Sequence, residues 1–118
     1  MMQLFGIYRE KGELDQARYW LEKAASTGYE AGVYNYGYFL AVDPKALGFT
    51  KDIIKGYALI SLLKELDGGG TAKTDVEETL PKISRTMTPA QIQEAENFAV
   101  KWRDEHPPLS FYPEKIDF

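Results

Sequence analysis

The sequence predicts an all-α fold, an α-α superhelix of about two helix pairs followed by capping helices. Apolar residues recur at spacings of three and four through most of the 118 residues. Glycine or proline stands where most of these runs end. The two halves of the first 70 residues can also be laid over one another, which is typical of helical repeats.

The first two helices are predicted from short apolar runs that end at glycine. Leu4, Phe5 and Tyr8 share one face of the first helix, and Gly12 stops it. The second helix carries its apolar stripe over residues 14–25. Gly28 follows in the position past the last turn where glycine favours a helix C-terminus.

The next two helices are predicted on either side of a loop at 43–51. The third helix begins near Glu30, and the Asp43-Pro44 step ends it because proline disfavours helical backbone at the residue before it. The fourth is a strongly apolar run over 53–66. Three consecutive glycines at 68–70 end it, since ordering them in a helix costs too much backbone entropy.

Two further helices are predicted in the last third of the chain. A shorter one spans 74–85, where Thr74 and Glu77 fit a capping box, and Pro81 should kink or split it. The last starts at Thr88-Pro89-Ala90-Gln91, with an N-cap hydroxyl, a proline at the first helical position and a glutamine at the third. Its predicted buried face is Ile92, Ala95, Phe98, Ala99 and Trp102, and His106-Pro107-Pro108 ends it.

These elements form one expected domain over residues 1–118. Repeat one spans 1–28, repeat two spans 29–70, and capping helices span 71–106. The tail, 107–118, carries aromatic residues, so we expect it to dock.

The repeat places Phe5-Gly6 over Tyr36-Gly37 and residues 17–28 over 56–67, with about eight more residues between the second pair of helices. The glycine of each first helix is expected to let the second helix approach closely. Ala24 and Ala25 are expected where neighbouring pairs stack.

These residues resemble the Sel1-like repeat family, relatives of the tetratricopeptide repeats. Tyr-Asn-Tyr-Gly at 34–37 and Ala-Arg-Tyr-Trp-Leu-Glu-Lys-Ala-Ala-Ser-Thr-Gly at 17–28 carry the resemblance. The second repeat departs from the pattern at Gly56, Leu59 and Leu63, where the family has alanine, tryptophan and alanine. Because the family pattern places another turn or two before Leu4, we expect either a first repeat shortened at its N-terminus or the C-terminal part of a longer array. The Met-Thr-Pro start of the last helix looks like the C-terminal cap of many bacterial members.

The resemblance implies a curved helical scaffold that binds a protein partner, as adaptors do and as some small bacterial immunity proteins do. In helical repeats the first helix of each pair lines the concave face. This places Gln3, Ile7, Asn35 and Tyr38 among the candidate partner-binding residues. Two alternatives stay open: a structural end piece of a longer array, or a small-ligand or enzymatic protein with a tyrosine-lined groove.

Tyrosines crowd the third helix and its start, at 29, 34, 36 and 38. Tyr34 and Tyr38 are four residues apart and share a face, whereas Tyr36 points elsewhere. One set must therefore be more exposed than a core requires. Tyrosine is enriched at interfaces because it offers a large contact area at low entropy cost.

No residue pattern indicates catalysis, so we expect no enzyme activity, no cofactor and no metal. His106 is the only histidine, and its place at a helix end favours an interaction with the helix dipole over a role as a catalytic base. The carboxylate pairs at 77–78, 94/96 and 104–105 fall on expected polar faces. The three glycines lack the Gly-Lys-Ser/Thr of a phosphate loop.

Composition limits the classes of partner and of site that the chain can have. A net charge of −4 disfavours nucleic acid, which needs clustered Lys and Arg, and favours a basic protein. The absence of cysteine rules out disulfides and thiolate sites. No apolar run is long enough for a membrane helix or a signal peptide. The expected location is cytoplasmic, or periplasmic if a leader was removed, and a homodimer through the open N-terminal face is a further expectation.

Overall fold

The computed structural model describes residues 2–65 and 71–109, and this part of the chain is all-helical, as predicted. The α-helices are α1 (Met2–Glu10), α2 (Leu14–Ser26), α3 (Glu30–Ala41), α4 (Ile53–Leu62), α5 (Thr71–Ser84) and α6 (Pro89–Glu105). Two short 3₁₀ helices lie at Pro44–Ala46 and Leu63–Glu65. The glycine run at 68–70 and residues 110–118 of the predicted tail lie outside the described residues.

Helices adjacent in sequence pack against each other from α1 through α4. The last helix, α6, packs on α4, and α5 packs on both α3 and α4. The core is continuous across all six helices. Its fully buried members of largest volume are Leu21, Leu47, Leu59, Ile60, Val33 and Val76.

Helix ends follow the predicted local chemistry where a cap is encoded. Gly28 adopts a positive φ of 82° just past α2, a conformation that favours glycine. At the start of α6, the backbone N–H of Gln91 donates to the Thr88 hydroxyl at 3.1 Å. The Gln91 side-chain oxygen accepts from the Thr88 N–H at 2.9 Å, so the capping box is confirmed.

The predicted start of α5 was wrong. The helix begins at Thr71, so Thr74 lies inside it and is not an N-cap. It also continues across Pro81, where a split or kink was expected, and Pro81 is exposed. Packing of Val76, Leu80 and Ile83, each at most 4% exposed, stabilises this helix against the backbone hydrogen bond that proline removes.

Two helices approach closely where α3 crosses α4. A Cβ atom added at Gly56 would lie 2.6 Å from the Gly37 carbonyl oxygen and 2.6 Å from the Ala41 Cβ atom. Gly37 therefore lets the second helix of its pair approach closely, as predicted. Gly6 does not, because a Cβ atom there would meet nothing within 4 Å. The prediction that Gly6 and Gly37 play the same packing role is therefore wrong.

The loop between α3 and α4 is fastened to α2 rather than lying loosely on the surface. Leu47 is 0% exposed, although the sequence indicated only turn formers there. The Arg18 guanidinium donates to the Leu47 carbonyl oxygen at 2.5 Å and pairs with Asp15. Phe49 packs on Tyr36, with ring centroids 5.6 Å apart.

The segment after α6 returns to the end of α2. A Cβ atom added at Gly28 would lie 2.5 Å from the Pro108 carbonyl oxygen, and Leu109 is partly buried against the core. Pro108 and Leu109 thus lie against the rest of the fold, while the aromatic residues of the tail, on which the expected docking depends, lie outside the described residues.

Candidate interaction surface

One side of α3 stays accessible although the helix lies among its neighbours. Most residues of α3 are buried. At 100° per residue, the positions of α3 that are not buried fall within a single arc of about 140° around the helix axis. We call the half of this arc that is farther from Glu30, formed by Ala31, Asn35, Tyr38 and Val42, the open face of α3. Val42, the C-cap residue, is 41% exposed.

The three tyrosines of α3 divide as their spacing predicts. Tyr36 is buried at 8% exposure, and its hydroxyl accepts a hydrogen bond from the Lys55 Nζ atom at 2.9 Å. Tyr34 and Tyr38, the tyrosine pair, are only partly buried. Their rings stack with centroids 6.1 Å apart and planes 22° from parallel. The tyrosine pair is thus the more exposed set.

Helix α5 forms one border of this surface. The hydroxyls of Tyr34 and Thr79 lie 2.8 Å apart in a hydrogen bond, and Thr79 is 5% exposed. Burial raises the pKa of Glu30, in the first turn of α3, and the negative charge of Asp75 on α5 raises it further. Glu30 and Asp75 therefore lie close enough to repel each other beside Tyr34.

Helix α1 forms the other border. The rings of Phe5 and Phe39 lie 6.3 Å apart, and the Arg9 guanidinium is 5.1 Å from the Phe39 ring centroid and 5.9 Å from that of Phe5. Phe39 is about 140° around α3 from Tyr34. The open face of α3 therefore lies between α5 and α1.

The structure brings together two of the four predicted partner-binding residues. Asn35 and Tyr38 share the open face, and the Asn35 side-chain amide donates to the Ala31 carbonyl oxygen at 2.7 Å. Gln3 and Ile7 are exposed on α1, about 160° and 200° around that helix from Phe5. Because Phe5 packs toward α3, Gln3 and Ile7 lie on the far side of α1 and do not adjoin the open face.

Sequence reasoning missed four residues of this surface, Ala31, Val42, Asp75 and Glu78. Val42 was not considered, although its spacing of four from Tyr38 could have placed it on the same face. Asp75 and Glu78 are exposed on α5 beside Tyr34. No local signal links them to α3, because that proximity depends on how α5 packs.

His106 has a structural setting, as its position indicated. It is the C-cap residue of α6, and its Nδ1 atom donates to the Trp102 carbonyl oxygen at 2.7 Å, since a carbonyl can only accept. Its ring stacks on Trp102 with centroids 3.8 Å apart. Across residues 2–65 and 71–109, no group of three His, Asp or Glu side chains is arranged to hold a metal ion. In the same ranges no helix has the length and apolarity to cross a membrane.

Comparisons with protein-family models, with curated proteins and with solved structures found no match to this chain.

Proposed function

We propose that the chain is a non-catalytic protein–protein interaction module of the Sel1-like repeat type, an adaptor or an immunity-like binder of a partner protein. The observation that carries this proposal is the open face of α3. A helix whose other side is almost wholly buried presents Tyr38 and a 41% exposed Val42 between two bordering helices. Aromatic and apolar side chains on a fixed surface are typical of protein interfaces.

The packing supports a repeat scaffold. Helices adjacent in sequence pack in order from α1 to α4, and α3 crosses α4 at Gly37 and Gly56. Ala24 is 1% exposed and lies where α2 meets Gly32 of α3, as expected of small residues between stacked pairs. Such helix-on-helix stacking is the basis of an α-α superhelix.

The test is capture of a partner from the native host, compared across two matched variants. Val42→Glu places a charge on the open face of α3. Val100→Glu makes the same change on α6 at a similar exposure of 49%. We expect a stoichiometric complex in size-exclusion chromatography with light scattering that Val42→Glu abolishes and Val100→Glu retains.

Two results would count against the proposal. Failure of the parent chain to form any stoichiometric complex would refute the binding function. Equal loss or equal retention in both variants would refute the assignment to the open face of α3. A homodimer whose mass halves only in Val42→Glu would identify the partner as a second copy.

A further inference from the structure

The tyrosine pair is held in place before any partner arrives. The Tyr34 hydroxyl is tied to Thr79 of α5 at 2.8 Å, and the Tyr38 ring is stacked on Tyr34 and meets Phe39 edge-on, with centroids 5.6 Å apart. Contacts on two sides leave little side-chain freedom to lose on binding. A ring fixed in this way is a pre-organised contact for a partner.

Carboxylates lie on the α5 side of the tyrosine pair. Glu30 precedes Tyr34 by one helical turn, and Asp75 and Glu78 approach from α5. The pKa of Tyr34 is raised mainly by burial, while the charges of Asp75 and Glu78 add to the rise and the hydrogen bond to Thr79 opposes it. Asp75 and Glu78 therefore act on Tyr34 from nearby.

Five other aromatic rings among the described residues have a cation over them. Among residues 2–65 and 71–109, Arg9 lies over Phe5 and Phe39, and lysines lie over the rings of three tyrosines, at positions 8, 19 and 36. Tyr34 and Tyr38 are not among these five rings. The tyrosine pair thus combines electron-rich ring faces with carboxylates on the side of α5.

We propose that the tyrosine pair binds the guanidinium group of an arginine in an extended segment of the partner protein. The proposal rests on the proposed function and specifies the chemistry of the partner. A planar guanidinium stacks on an aromatic ring and can donate to a carboxylate at the same time, which an ammonium group does less well. Because the two rings stack on each other, they do not enclose a cavity of the kind that surrounds quaternary ammonium ligands.

The test is a titration followed by ¹H–¹⁵N NMR with two synthetic peptides that differ only in charge. One peptide repeats Arg-Gly-Gly, and the other has citrulline, which is uncharged and nearly isosteric, in place of arginine. We expect saturable shifts of backbone amides at 30–38 and 75–79 with the arginine peptide, weakened by added salt. We expect at least tenfold weaker binding of the citrulline peptide.

Variants separate this site from general attraction to an acidic protein. Tyr38→Ala should weaken binding about fivefold, while Tyr38→Phe, which keeps the ring, should stay within about twofold of the parent. Tyr19→Ala is the matched control, because Tyr19 is 48% exposed on α2 and carries its own cation, Lys23. It should leave binding unchanged.

Three results would overturn the proposal: shifts spread evenly over the acidic surface, equal effects of Tyr38→Ala and Tyr19→Ala, or equal binding of both peptides. Each is distinguishable from failure of the proposed function. A native partner whose complex is lost in Val42→Glu but retained in Tyr38→Ala would keep the binding function and reject the arginine chemistry.

Discussion

Replacing Gly56 with alanine should destabilise the fold, because Gly56 lies at the closest approach of α3 and α4. The added Cβ atom would lie 2.6 Å from both the Gly37 carbonyl oxygen and the Ala41 Cβ atom, and 3.0 Å from the Ala41 nitrogen. These atoms belong to backbone or to a short side chain, so no flexible group can move aside. The helices must separate by about 0.8 Å to restore ordinary van der Waals contact.

The size of the effect follows from two opposing terms. Overpacking of a core typically costs about 1–3 kcal/mol, and a contact with rigid backbone belongs at the upper end. Alanine in a helix interior is favoured over glycine by about 1 kcal/mol. The expected net loss for Gly56→Ala is therefore about 2 kcal/mol, or a fall in Tm of about 8 °C for a chain of this size.

Gly6→Ala is the matched control, since Gly6 also lies inside a helix. An added Cβ atom there meets nothing within 4 Å, so only the propensity term remains. We expect a gain of about 0.5–1 kcal/mol. The two variants should therefore change stability in opposite directions.

Urea unfolding followed by circular dichroism at 222 nm measures both variants against the parent. The midpoint should fall for Gly56→Ala and rise for Gly6→Ala, with unchanged m-values. If Gly56→Ala were as stable as Gly6→Ala, the close crossing of α3 and α4 would be refuted.

Three further predictions use the same unfolding assay. Because the pKa of Glu30 is raised in the folded state, its ionised form costs stability above that pKa, so Glu30→Gln should gain stability relative to the parent as pH rises from about 4 to 7. A difference that does not vary with pH would contradict this. Thr88→Ala should lose about 1 kcal/mol as the α6 cap disappears, and no loss would mean that the capping box contributes nothing. Gly28→Ala should lose more than Gly12→Ala, since both have positive φ but only Gly28 faces Pro108. Equal losses of stability in the two variants would refute the contact between Gly28 and Pro108.

Local chemistry made several features predictable from sequence. The Thr88–Gln91 capping box and the positive φ of Gly28 depend on residues within one turn of each other. The division of the α3 tyrosines into Tyr36 and the tyrosine pair also follows from a fixed rotation of 100° per residue. Each of these features depends only on residues close to one another in sequence.

Prediction failed where distant residues decide the outcome. The start of α5 at Thr71 was missed because packing of its apolar face outweighs the capping signal at Thr74. Leu47 was assigned to a loop, yet Arg18, 29 residues earlier, holds that loop on the core. Gly6 was matched to Gly37 by its neighbours in sequence, although only Gly37 has a second helix against it.

The sequence by itself determined the helices, most of their ends and which tyrosines share a face, because hydrogen bonds and side-chain periodicity within a helix span only a few residues. The tertiary structure alone decided that the tyrosine pair lies beside the carboxylates of α5. Tyr34 and Thr79 are 45 positions apart, and contacts at such separation depend on how whole helices pack, which no short pattern encodes.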